Sequence, residues 1–336
     1  MTGTSPSILT NTFQIQKELF RPSLQYPSHP YAEILSRTAE RFPENEAVIS
    51  SAPILASHLT NDASASSASH SGEMQGSIRL ANDASASEPS RSDNEASAST
   101  AAQSVRTSGV RFAQARREER DVNLTYRELD TLVNAFANAL LDVGVRKGDR
   151  VCLLMTNRPE FLVSWFALAR IGAIISPMNP SYKEREVAYQ LGNSEAMAIV
   201  VQQELLSLVE SVHAQTPALE HVIVVGADQA ALPPQVHSFS QMVRGYASTL
   251  PACPAPALDD LLTRPYSSGT TGFPKGVMLS HKNVACNAFQ SVATARITSN
   301  DRMLVFVPLY HIYGIMLIGT ASMSGATIVL MERFEP

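Results

Sequence analysis

Cysteine is scarce in this chain of 336 residues: only Cys152, Cys253 and Cys286 occur. They are scattered and odd in number, which argues against a disulfide framework or a zinc site. It fits a reducing compartment, so the cytoplasm is the expected location. Basic runs are absent too. The net charge is −5 and no stretch concentrates Lys or Arg, which argues against nucleic acid as a partner. The amino terminus lacks the charged-then-apolar order of a signal peptide. From Met303 to Met331 there is no Asp, Glu, Lys or Arg, and that run is long enough to span a membrane. Pro308, His311, Gly314, Gly319 and Gly325 interrupt it, however, so it reads better as strand, loop, helix and strand in a soluble core. Aromatics are missing from residues 51–120, where Phe112 stands alone.

That last segment is rich in Ser, Ala, Asn and Asp. It repeats itself at Asn61–Ser66, Asn82–Ser87 and Asn94–Ser99. Such a composition cannot bury enough apolar surface to offset its chain entropy, so 51–120 is predicted to be a disordered insertion. An inert surface insertion and a regulatory tail are both open. Deleting Ala63 to Ser108 is expected to leave thermal stability unchanged.

Outside the insertion, the apolar fraction is that of an ordinary soluble protein, 44% of the whole chain. A chain this long suggests about two domains. Residues 31–41 suit a helix that Pro43 stops, and Ala47–Ile49 suits a strand. Thr125 and Glu128 have the spacing of a capping box. The helix behind them aligns Leu129, Leu132, Val133, Phe136 and Leu140 on one face, with Gly144 at its end. Strands are predicted at Val151–Met155, Ala173–Ser176, Ala198–Val201 and His221–Val225. A helix from Pro159 to Ile171 opens on proline. Ser181 and Glu184 suggest a second capping box. Residues 251–258 form a proline-rich link. Beyond it come a short extended piece at Val277–Ser280, a helix over His281–Ala295, and strands at Met303–Val307 and Ala326–Met331. Strands alternating with helices indicate an α/β fold with largely parallel sheets flanked by helices.

The chemistry concentrates in Tyr266–Gly276, reading YSSGTTGFPKG. Ser267, Ser268, Thr270 and Thr271 carry hydroxyls. Gly269 and Gly272 free the backbone, and every residue from 267 to 272 can donate an N–H. Lys275 adds a cation. A donor-rich loop ending in a cation suits a polyphosphate, although a Ser/Thr/Gly/Pro cluster also suits a plain surface turn. It is not a Walker A loop, because Pro274 and not glycine precedes the lysine.

The run YSSGTTGFPKGVMLSHKN resembles the phosphate-binding signature of the AMP-forming acyl-adenylate superfamily, which includes acyl-CoA synthetases and 4-coumarate–CoA ligase-like enzymes. Pro308–Gly314, PLYHIYG, resembles that family's second signature. LTYREL, KGDRV and AIISPMNP resemble its amino-terminal region. The resemblance implies the amino-terminal domain of the adenylate-forming fold, divided as 1–50, the insertion 51–120 and 121–336. It implies an ATP-dependent carboxylic acid–CoA ligase for a fatty or aromatic acid, with ATP, Mg²⁺ and coenzyme A. Ser267, Ser268, Gly269, Thr270, Thr271, Gly272 and Lys275 would hold the phosphates, with Thr270 on Mg²⁺. His311 would sit by the reacting carboxylate, and Tyr313 and Gly314 would border the acyl pocket. Lys275 and His311 are the catalytic candidates. Arg333 aligns with a position that reaches CoA, and is otherwise an ordinary solvated arginine. Tyr313 is equally explicable as core packing, and His281 as structural.

Two departures stand out. The family lacks the insertion, and it continues for a few hundred residues beyond the segments matched here. Its adenine, ribose and hinge segments and its carboxy-terminal domain with a catalytic lysine have no counterpart in this chain. A truncated chain is therefore expected, with little activity of its own. The strand Ala326–Met331 is expected to form a bare, aggregation-prone edge. An adenylation domain feeding a carrier protein, or a non-catalytic nucleotide-binding fragment, are the alternatives.

Overall fold

The computed structural model describes residues 25–50, 122–228, 230, 232–233, 236–267 and 273–332. The insertion 51–120 lies entirely outside the described residues. Helix α1, Ile34–Arg41, leads to strand β1, Glu46–Ser50, and after the insertion comes β2, Val122–Thr125. The next helix, α2 (Tyr126–Asp142), opens on the expected capping box. Glu128 N–H donates to Thr125 Oγ1 at 3.2 Å, and Thr125 N–H donates to the Glu128 carboxylate at 2.8 Å. Its predicted inner face is buried throughout, and Gly144, at φ +100°, follows the last turn.

From there strands and helices alternate. Strand β3 (Arg150–Leu154) is followed by α3 (Pro159–Ile171), which is buried along its whole length. Then come β4 (Ile174–Met178), α4 (Glu184–Ser194), β5 (Ala198–Gln202), α5 (Leu206–Val212) and β6 (His221–Val225). Next are β7 (Val236–Ser238), α6 (Phe239–Gly245) and β8 (Leu261–Thr263). The short strands β9 (Tyr266–Ser267), β10 (Lys275–Gly276) and β11 (Leu279–Ser280) precede α7, His281–Ala295, whose bounds match the sequence expectation. The described chain ends with β12 (Arg302–Val305), α8 (Ile312–Ser324) and β13 (Thr327–Leu330). Among the described residues no helix is long and apolar enough to cross a membrane. The uncharged run is strand, loop, helix and strand.

Seven strands form one sheet in the order β11-β8-β4-β3-β5-β6-β7, parallel except at β11. Because β4 and β5 lie on opposite sides of β3, the connections diverge there and leave a crevice at the carboxyl ends of the strands. A second sheet has the order β12-β13-β1-β2, with only β1 and β2 antiparallel. These are the parallel, helix-flanked sheets of the α/β class expected from the sequence.

Two expectations are corrected. Ser181 does not cap α4. The Asn179 side chain captures the Ser181 N–H at 2.9 Å in a turn, and the helix starts three residues later. Glu186 then accepts from the Lys183 N–H at 3.1 Å. Strand β13 is not an edge. It lies between β12 and β1, with Ile328 paired to both Met303 and Val48. The outer strand on that side is β12, where Leu304 is 53% exposed.

Candidate active site

The hairpin β9–β10 projects from the large sheet as the root of the Ser/Thr/Gly loop, with Lys275 opposite Ser267 and Gly276 opposite Tyr266. Its stem is tied down by backbone bonds: Arg264 N–H donates to Ile175 O, and Val277 N–H to Pro265 O, both at 2.8 Å. A Cβ at Gly276 would run into the Arg264 side chain, which would have to shift to admit it. The Arg264 guanidinium instead crosses the hairpin to Asn193, donating to its side-chain oxygen at 3.1 Å and its backbone carbonyl at 3.3 Å. Ser267 and Lys275 are both exposed, and no ion pair joins Lys275 to another described residue. Ser268, Gly269, Thr270, Thr271, Gly272 and Arg333 lie outside the described residues.

His311 is exposed and caps α8, its Nδ1 accepting from Tyr313 N–H at 3.2 Å. With Nδ1 engaged as an acceptor, Nε2 is the ring nitrogen left to donate. Tyr313 is 50% exposed and therefore not a core residue. Gly314 is buried where the helix backs onto the preceding turn. A Cβ there would come 2.4 Å from Pro308 O.

That turn is held by a residue the sequence reading passed over. Asn157, 4% exposed, donates to Val307 O at 3.0 Å and Met331 O at 3.1 Å, and accepts from Leu309 N–H at 2.8 Å. One amide thus joins the end of β3 to the segments following β12 and β13. The only signal was an asparagine at a strand-to-helix junction, which reads equally well as a turn residue.

Thr156 and Asn157 after β3, Asn179, Pro180 and Ser181 after β4, and Gln202 at the end of β5 line a crevice of about 880 Å³. Phe306, Pro308, Tyr310 and Glu332 close it from the second sheet. A smaller cavity of about 390 Å³ lies between α4 and the hairpin, bordered by Tyr182, Tyr189, Tyr266 and Phe273. Tyr182 links the two. Burial raises its phenol above the usual tyrosine pKa, and nearby Tyr310 and Glu186 add to the effect. Tyr266 and Phe273 of the hairpin thus border the smaller cavity, while Pro308 and Tyr310, just before His311, border the crevice.

The sequence model of the family described as AMP-binding enzyme matches residues 100–336. The chain belongs to the AMP-binding enzyme family. A crotonobetaine/carnitine–CoA ligase of Escherichia coli O17:K52:H18 is 34% identical over 215 residues, which is 63% of this chain and 41% of that protein. One from Salmonella paratyphi C is 33% identical, with the same coverage. This AMP-binding chain thus spans less than half the length of these curated relatives. Among solved structures, a long-chain-fatty-acid–CoA ligase from Archaeoglobus fulgidus superposes with a TM-score of 0.67 at 24% identity, covering 94% of this chain and 49% of that one. An anthranilate–CoA ligase in complex with anthranoyl-AMP superposes at 0.65 and 23% identity, covering 92% and 46%. Both share the family fold expected from the sequence.

Proposed function

We propose that this chain provides the phosphate loop and part of the acid pocket of an ATP-dependent carboxylic acid–CoA ligase. The observation that carries the reading is the exposed Lys275 on the hairpin that borders the smaller cavity, with His311 directly following Tyr310 on the wall of the crevice. In the proposed reaction a carboxylate oxygen attacks the α-phosphorus of ATP. The bond to the bridging oxygen breaks, and pyrophosphate leaves with its electron pair. A thiol then attacks the acyl carbon and displaces AMP.

The first step brings two anions together, so positive charge and fixed donors are needed where charge accumulates. Lys275 would supply a point charge to the β- and γ-phosphates. The donors of Ser267 to Gly272 would wrap them. His311 Nε2–H would donate to the carboxylate or the α-phosphate. Tyr313 and Gly314 would border the acyl group, and Arg333 would reach CoA. Among the described residues no cluster of three His, Cys, Asp or Glu could hold a metal ion. Mg²⁺ would therefore enter with ATP and take the Thr270 hydroxyl, an oxygen donor suited to a hard cation. The relatives' names favour CoA as the thiol over a carrier protein.

The test is a MgATP titration combined with carboxylate-dependent pyrophosphate exchange. Lys275→Ala is expected to weaken ATP binding about ten- to a hundredfold, the loss of one charge-assisted contact, with the melting temperature unchanged. Exchange is expected from a chimera in which the unmatched remainder of the E. coli relative completes this chain, and hardly at all from residues 1–336. Betaine, fatty and aromatic acids form the panel. A folded chimera that exchanges with none of them would sink the proposal.

A further inference from the structure

Helix α4 carries Arg185, Tyr189 and Asn193 at four-residue spacing, which places them in one stripe along the helix. All three meet the hairpin that bears the phosphate loop, on both sides of that loop. On the outgoing side, just before β10, the Tyr189 ring stacks on Phe273 with centroids 4.8 Å apart and planes at 20°. The Tyr189 hydroxyl donates to Pro274 O at 2.9 Å, and the Arg185 guanidinium lies 5.4 Å from the Phe273 ring. On the incoming strand, the Tyr266 hydroxyl donates to Asn193 Oδ1 at 2.7 Å, and Tyr266 also packs edge-on to Tyr189.

We infer that this stripe is the positioning element of the hairpin that carries Lys275, with Tyr189 as the residue that fixes where Phe273 and Pro274, and hence Lys275, are held. The inference rests on the reading of Tyr266–Gly276 as a phosphate loop. The local architecture leaves few other candidates. The hairpin pairs only two residues a side, and the cavity of about 390 Å³ separates part of it from the helix. Phe273 is 56% exposed, so no buried core immobilises it. Ahead of the β10 pairing and the Val277 bond to Pro265, the chain at Phe273 and Pro274 is held by the Tyr189 ring stack and hydrogen bond, with Arg185 against the Phe273 ring. Lys275 follows two residues after Phe273, so a shift of that stack moves the cation. None of the three residues touches the phosphates in this role, and each acts through the loop it holds.

Two substitutions separate the contacts. Tyr189→Phe removes the bond to Pro274 and keeps the stack, whereas Tyr189→Leu removes both. Asn193→Ala, at an exposed position, releases Tyr266 and the Arg264 contact to the same side-chain oxygen, without touching the packed part of the helix. For each variant MgATP affinity, melting temperature and deuterium uptake of the 266–276 amides are measured, with Lys275→Ala as reference. Tyr189→Phe is expected to weaken ATP binding about three- to tenfold, the loss of one neutral hydrogen bond. Tyr189→Leu should weaken it further, and Asn193→Ala should resemble Tyr189→Phe. Each should speed exchange in 266–276. In the Tyr189→Leu/Lys275→Ala double variant the losses should fall short of additive, because both act on the same charge. A residue that only packs would lower the melting temperature and leave affinity untouched. Wild-type affinity in folded Tyr189→Phe and Asn193→Ala, alongside a clear loss in Lys275→Ala, would overturn the inference alone. If Lys275→Ala binds ATP like the wild type, or the wild type binds none, the phosphate-loop reading fails and takes this inference with it.

Discussion

Burying an imidazole with no polar partner carries a cost that depends on pH. His281 is fully buried at the first turn of α7, and neither ring nitrogen has a partner among the described residues. Burial drives its pKa from 6.5 down to about 4; Asp260 opposes the shift and Lys147 adds to it. The folded state therefore holds the neutral ring, while the unfolded chain binds a proton below pH 6.5. Its contribution is complete at neutral pH and is lost as pH falls through 6.5 toward 4. Between pH 7 and pH 5 this one residue should remove about 2 kcal/mol of stability. Urea denaturation of the wild type and of His281→Leu at both pH values checks it, and equal losses in the two proteins would rule the explanation out. Asn157 is the second residue whose environment fixes an outcome. Asn157→Ala would strand two part-buried carbonyls and one buried N–H, at a cost of about 3 kcal/mol. A denaturation midpoint indistinguishable from wild type would mean that water replaces the amide there.

Local signals fixed most elements. Thr125 and Glu128 start α2, Pro159 starts α3, and α7 runs where its periodicity places it, because caps and apolar spacing are properties of a few adjacent residues. Ser181 misled because a capping pattern competes with an Asx turn, and Asn179 lies two residues upstream to form one. Strand position is a different kind of information. The composition of Ala326–Met331 says that it is buried and extended. It says nothing about β1, a distant segment, supplying its second neighbour. The exposed flank consequently belongs to β12 and the residue after it: Leu304 is 53% exposed and Phe306, one residue past the strand, 47%. An open, apolar outer strand favours association between molecules. Leu304→Lys should reduce the concentration dependence of light scattering while leaving the melting temperature in place. Unchanged scattering from a folded variant would place the sticky surface elsewhere.

For the whole molecule, the sequence revealed the fold class and the family, because alternating strands and helices and short signature runs are both written in adjacent residues. It did not reveal what steadies them. Asn157, Tyr189 and Asn193 act across sequence distances that no local pattern encodes. One feature of the small sheet also bears on how the protein is made. Strand β1 lies among the first fifty residues, yet its parallel partner β13 is among the last ten. On the ribosome, at about 5–20 residues per second, β1 waits on the order of tens of seconds for the strand that completes its sheet. The large sheet from β3 to β7 can assemble meanwhile. Until β13 emerges, one edge of β1 stays open to chaperones and to neighbouring nascent chains, so slower elongation through the intervening residues lengthens that exposure without changing the final structure.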